Sequence, residues 1–191
     1  VQTCALPISD NDILTNVGHV IVDETRKRKL PIEMASMNKV KTMDEIKDWC
    51  RLKGINTNQT VVITPKYDGL SLCVNELTGE AWTRGDGEFG QKSDEHYKLI
   101  GNHLTNLPEP WPVAGGFKFT YGEVMMPKKV FIDKYSAEYA NPRNLVAGLL
   151  NSKEVTEPLK DTVFIKYGAI LDTEFEGTYT TKSDLLKSLN Q

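Results

Sequence analysis

Short apolar runs separated by turn-forming residues fill residues 60 to 87, and they constrain the fold more than any other stretch. Thr60 to Ile63 is β-branched and bounded by Pro65, Leu70 to Val74 is a second apolar run, and Gly79 is available for the turn that follows. Ala81 to Arg84 then returns and stops at Gly85-Asp86-Gly87. Such runs favour extended strands, and glycine-containing turns join antiparallel neighbours. The pattern predicts an antiparallel sheet with a lysine, Lys66, between its first two strands.

The rest of the chain adds helices. Thr42-x-x-Glu45 is a capping box, Ile46, Trp49 and Cys50 share a helical face, and Gly54 suits the stop. Ser93 to Ile100 reads as helical, Phe117 to Met125 as a strand, and Pro127 starts another helix. Asn141-Pro142 opens a helix through about Leu150, Thr162 to Leu171 is strand-like, and Thr181 to Leu189 is a final amphipathic helix. This irregular mixture predicts an α+β domain. Ser9 to Leu30, polar and aperiodic, reads as a linker or arm whose basic run Arg26-Lys27-Arg28-Lys29 could touch phosphates but reads better as a solvated stretch.

Composition excludes several functions. With 191 residues, 39% hydrophobic and 26% charged, the chain suits one sizeable soluble core. A net charge of -3 argues against gripping nucleic acid mainly by its own field. Cys4, Cys50 and Cys73 are widely spaced, so neither a zinc site nor a disulfide framework is indicated, which fits a reducing cytoplasm. No apolar run reaches the roughly eighteen residues of a membrane-crossing helix, and no membrane partner is expected. Val1 to Ile8 match the in-frame translation of a common sequencing-library adapter and are expected to be non-native, which the underlying nucleotides would test.

Lys66-Tyr67-Asp68-Gly69 is a K-x-D-G sequence. An ordinary lysine is only about 0.04% neutral at pH 7, so a nucleophilic one needs burial or nearby positive charge. A place beside a sheet, between apolar runs, offers such a setting. Alone, the motif is a weak signal and describes a solvated surface lysine better than a nucleophile.

Its company decides. Thr83-Arg84-Gly85-Asp86-Gly87, Gly122-Glu123-Val124, and Ala140-Asn141-Pro142-Arg143-Asn144 with Ala147-Gly148 follow in order. Together with K-x-D-G they resemble the motifs of NAD-dependent DNA ligases, over roughly residues 9 to 190. K-x-D-G is shared with ATP-dependent ligases and capping enzymes, whereas T-R-G-D-G and A-N-P-R-N are typical of the NAD-dependent branch. Met34-Ala35-Ser36-Met37-Asn38-Lys39 is similar in part to that family's M-x-S-L-D-N segment, nearer to its short phage and viral members. Gly18 resembles the linker from a preceding mononucleotide-binding domain.

The resemblance implies a partial antiparallel-sheet nucleotidyltransferase core, ATP-grasp-like, with residues 9–30 as the arm and 31–191 as the N-terminal portion of an adenylation domain. Lys66 would attack the α-phosphorus of NAD, expel nicotinamide mononucleotide and hold AMP for transfer to the 5′-phosphate of nicked double-stranded DNA. Mg2+ would assist, no residue is assigned as a metal ligand, and the parent would be a cytoplasmic monomer serving replication and repair. Asp68 would orient Lys66 or the ribose from the same strand face. Arg84 would meet phosphate or ribose oxygens, and Glu123 the ribose or a metal. Ser36 and Met37 would line the nucleotide, Tyr167 would stack on adenine, and Arg143 would approach phosphate or DNA from a helix start. Each has a plainer alternative: Asp68 a turn former, Arg84 a solvated strand end, Glu123 a surface carboxylate, Ser36 and Met37 loop residues, and Tyr167 a core aromatic.

Departures from the family narrow these expectations. Thr64 replaces the usual glutamate two residues before the lysine, so its contact with the nucleotide is altered, and Asn151 stands where an arginine is common. His19, His96 and His103 match no family role. Two family lysines, one on a D-G-x-x-I-K strand and one further downstream, have no counterpart before Gln191. Nor do the upstream mononucleotide-binding domain or the downstream OB, zinc, helix-hairpin-helix and BRCT regions. The chain is therefore expected to be a fragment with little nick sealing of its own. Two other functions fit parts of the pattern: an ATP-dependent polynucleotide ligase or nucleotidyltransferase, and a catalytically silent nucleotide- or DNA-binding module.

Overall fold

The computed structural model describes residues 24–34, 39–56, 58–59, 63–101 and 117–171. In chain order these form β1 (Lys27–Lys29), α1 (Met43–Leu52), β2 (Leu70–Asn75), β3 (Ala81–Thr83), β4 (Phe89–Gln91) and α2 (Asp94–Gly101). β5 (Phe117–Met125), α3 (Lys128–Lys134), α4 (Pro142–Asn151), a 3-10 turn (Glu157–Asp161) and β6 (Val163–Leu171) follow. The mixture of helices with antiparallel sheet is the α+β class expected.

Four strands make one antiparallel sheet in the order β3-β2-β5-β6. β2 and β3 are the hairpin anticipated around Gly79, with Leu72 opposite Thr83 and Val74 opposite Ala81. β5 joins β2 with Leu70 opposite Val124, and β6 joins β5 with Phe164 opposite Val124. Because alternate residues of a strand face opposite sides, Leu72, Val74, Val124 and Phe164 line one face together. Ile100 of α2, Phe131 of α3, Leu145 and Leu149 of α4, and Leu159 of the 3-10 turn cover it. One ion pair is enclosed there: Lys166 Nζ donates to Glu76 at 2.7 Å, and the Thr120 hydroxyl donates to the same carboxylate oxygen. Paired and hydrogen-bonded in this way, the charges escape the cost of isolated burial.

The opposite face has its own smaller core. Cys73, with Phe119, Tyr121 and Trp82, packs against Leu30, Ile32 and Met34. Burial pushes the Cys73 thiol up to about 12, which keeps it inert. Cys73 and Cys50 are both free.

Residues 24–30 depart from the expected solvated arm. β1 pairs antiparallel with β4, Lys29 opposite Phe89, and Leu30 is buried. Arg26 donates to the Lys92 carbonyl at 2.8 Å and also to that of Ser152. Carbonyl groups that need donors, together with one buried leucine, outweigh the basic run, whose Arg28 and Lys29 remain exposed.

Two other expectations meet a mixed outcome. The Thr42–Glu45 capping box forms with both of its bonds, yet α1 buries no residue, and Ile46 and Trp49 stay 40% and 39% exposed. Of the strand anticipated at Thr60 to Ile63, only Ile63 lies within the described residues; it is 90% exposed, and residues 63–68 form no strand. The helix expected at Thr181 to Leu189, and Ser36 and Met37, lie outside the described residues. No helix among the described residues is long and apolar enough to cross a membrane.

Candidate active site

Gly69 fixes where the K-x-D-G loop meets the sheet. A Cβ on it would lie 2.0 Å from the Val124 carbonyl oxygen, so only glycine lets the loop run this close to β5. Thr64, Lys66 and Asp68 precede it, all exposed. This corrects two expectations: the described residues do not enclose Lys66, and no strand aligns Lys66 with Asp68.

Asp68 is engaged elsewhere. Arg143 Nη1 donates to its Oδ1 at 2.6 Å, tying K-x-D-G to A-N-P-R-N across 75 residues of sequence. The second motif explains itself locally. Asn141 caps α4, its side chain accepting from Asn144 N at 2.8 Å, and Pro142 presets the first turn. Arg143 thus stands exposed at the helix start. Because both partners face solvent, the pair is a weak tether.

The T-R-G-D-G turn is locked by its aspartate. Asp86 accepts from Phe89 N at 2.7 Å and from Glu88 N at 2.9 Å. These bonds, that of Phe89 foremost, hold its carboxyl below the usual range. Met34 N donates to Gly87 O at 3.0 Å, so the turn holds the start of the Met34–Lys39 segment at the end of β3. Arg84, half-buried, leads out of that strand, and its N–H donates to Ser71 O at 3.1 Å.

Ser71 is the residue that sequence reading missed. It stands opposite Glu123, and its Oγ donates to Glu123 Oε2 at 2.8 Å. Glu123, 9% exposed, is therefore a buried, hydrogen-bonded group and not a surface carboxylate. The available signal was a lone hydroxyl in the run Leu70-Ser71-Leu72-Cys73-Val74.

Tyr167 completes the cluster through a bulge. Tyr121 opposes Gly168 and Gly122 opposes Lys166, which leaves Tyr167 as the extra residue of β6. Bulges of this kind re-aim a side chain. The Tyr167 ring meets the Tyr121 ring edge to face, with centroids 5.7 Å apart at 82°. Tyr121 in turn lies over Gly168, where a Cβ would fall 2.1 Å from its ring. Burial pushes the Tyr167 phenol up, a hydrogen bond with Ser71 opposes that, and the charges of Glu123 and Arg84 act in opposite senses.

Of the residues singled out in the sequence, Arg84, Glu123 and Tyr167 thus converge around Ser71, while Asp68 meets Arg143 on the exposed loop that carries Lys66. Among the described residues no three acidic, histidine or cysteine side chains gather to hold a metal.

An α+β domain that gathers a hydroxyl, a carboxylate, a guanidinium and a half-buried aromatic beside an exposed lysine loop has the makings of a polar small-ligand site. Residues 23–191 match the NAD-dependent DNA ligase adenylation domain, and the chain belongs to that family. It is 36% identical over 132 residues to the DNA ligase of Acanthamoeba polyphaga mimivirus, covering 67% of this chain and 19% of that protein. It is 31% identical over 169 residues to the DNA ligase of Francisella tularensis subsp. novicida, covering 78% and 24%. With the DNA ligase of Lactobacillus gasseri the identity is 32% over 158 residues, covering 75% and 22%. The chain spans about a fifth to a quarter of the length of these relatives.

Proposed function

We propose that this chain is the nucleotide-loading part of an NAD-dependent DNA ligase and that Lys66 becomes its lysyl-AMP. The observation that carries the reading is the meeting of Glu123 and Tyr167 about Ser71 in the sheet, with Arg84 at the adjoining end of β3, beside the K-x-D-G loop, in a chain of this family. Tyr167 offers a ring for adenine, Glu123 offers polar contacts to the ribose, and Arg84 offers donors for phosphate. Ser36, Met37 and Thr64 would complete the nucleotide's surroundings. Lys66 Nζ forms a bond to the α-phosphorus as the bond to the mononucleotide phosphate breaks, that phosphate leaving with the electron pair and the lysine losing a proton. AMP then passes to a 5′-phosphate in nicked double-stranded DNA.

Arg143 would leave Asp68 to meet phosphate. Mg2+ would enter on the nucleotide phosphates, consistent with a preference for phosphate oxygens and water over an all-protein cage. A cytoplasmic, monomeric parent completes the proposal.

Incubation with NAD and Mg2+, followed by intact-mass and peptide mass spectrometry, tests it. The expected result is weak addition of AMP at Lys66, absent in Lys66→Ala and absent when ATP replaces NAD. Preferential labelling from ATP would favour an ATP-dependent nucleotidyltransferase, and label retained in Lys66→Ala would remove the lysine from the mechanism. The exposure of Lys66 favours one alternative, a nucleotide-binding module that does not react. Nucleotide binding without any labelling, in a longer version of the protein as well, would select it.

A further inference from the structure

We propose that Ser71 is a positioning residue that fixes the Tyr167 ring and the Glu123 carboxylate as one unit and so sets nucleotide affinity. This rests on the nucleotide site described above. Ser71 is where the parts of that site are joined. Its Oγ donates to Glu123 Oε2 at 2.8 Å, across to β5. Its hydroxyl also stands near enough to the Tyr167 phenol on β6 to act on that phenol's ionisation. Its carbonyl accepts from Arg84 N at 3.1 Å, at the end of β3. One small residue on β2 therefore reaches toward each of the other three strands of the sheet or their ends.

The consequence for binding follows from geometry. A tyrosine ring held only by its edge contact with Tyr121 keeps rotational freedom about χ2, whereas one also tied at its hydroxyl presents a single plane. A stacking platform that must be ordered by the ligand binds it more weakly than one already in place. Removing the Ser71 hydroxyl unties the phenol and, in the same step, deprives the nearly buried Glu123 carboxylate of a hydrogen-bond donor. Ring and carboxylate then lose their fixed relation together, although neither has been mutated.

The test compares AMP binding by the 191-residue chain and its Ser71→Ala, Ser71→Thr and Ser71→Val variants, using calorimetric or fluorescence titration. Thr and Val have nearly the same shape and both suit a strand, so they differ chiefly in the hydroxyl. Ser71→Ala and Ser71→Val should each weaken AMP about tenfold, the scale of one hydrogen bond, while Ser71→Thr stays near the parent. Tyr167 gives a second readout: its ionisation, isolated by subtracting a Tyr167→Phe ultraviolet titration, should differ from the parent in the Ala and Val variants and return in Thr. Equal AMP affinity in all four proteins overturns the positioning role, as does loss of affinity in Thr and Val alike, which would mark a packing effect. Failure of the unmutated chain to bind AMP overturns the nucleotide site itself and the role with it; the Tyr167 titration then shows separately whether the Ser71 contact exists.

Discussion

Glu123 and Lys66 belong to the same expected site but occupy opposite physical settings. Glu123 sits mid-strand, nearly buried, hydrogen-bonded to Ser71 across β2 and β5 and linked through it to Tyr167. Lys66 stands exposed on a loop attached through the close approach of Gly69 to β5 and through one solvent-facing ion pair. Residues that would recognise a ligand are built into the sheet, where hydrogen bonding and packing hold them before anything binds. The residue that would react is presented outside it. The fold orders the proposed recognition residues in advance and leaves the proposed nucleophile exposed.

The joint between the two regions is where the contrast breaks most easily. Gly69→Ala drives a methyl into the Val124 carbonyl and should cost about 3 kcal/mol, at the upper end for overpacking, measured by urea unfolding. A cost below about 1 kcal/mol would mean the loop can lift away from β5 without loss. Within the buried region, Glu123→Ala removes the acceptor of the Ser71 hydroxyl and should cost about 1–2 kcal/mol; no change would place Glu123 with the exposed group.

A pH series sharpens the comparison. Burial above all, with the Arg26 charge beside it, holds the His96 imidazole below 6.5, while its Nε2 lies 3.1 Å from Ser152 O. The unfolded chain takes up a proton there at a higher pH than the folded chain does. Stability is therefore complete above about 6.5 and is lost as pH falls toward the folded value. His96→Gln should flatten unfolding free energy over that range, and an unchanged slope would show that the loss arises elsewhere. Smallest of all, Arg143→Ala should change stability by at most ~0.5 kcal/mol, less in high salt. A loss above ~1 kcal/mol would make the exposed region as firmly held as the sheet.

Sequence patterning made much of the scaffold legible. β2, β3, β5, β6 and the helices that cover them carry their signals locally: apolar alternation, a turn glycine, an Asn-Pro start. β1 did not, because its partner is β4, some sixty residues on, and its charges resemble solvent-facing ones. The site divides in the same way. Arg84, Glu123 and Tyr167 could be picked out through the family's motifs, but their meeting at Ser71 depends on cross-strand register, which no single run displays. The expected enclosure of Lys66 failed because it required a strand on each side, and within the described residues only β2 flanks the loop.

The bulge in β6 carries a further implication. Lys166 and Gly168 pair with adjacent residues of β5, so the ladder closes whether or not a residue stands between them. Tyr167 is that residue. Deleting it would leave its neighbours facing as they do now on a straighter strand, whereas deleting Lys166 would close the same ladder with Tyr167 opposite Gly122 and take from Glu76 its Lys166 partner. The position is thus a spare place in the ladder, and chain length there, as much as side-chain identity, separates a sheet that only folds from one that also carries the Tyr167 ring beside Tyr121.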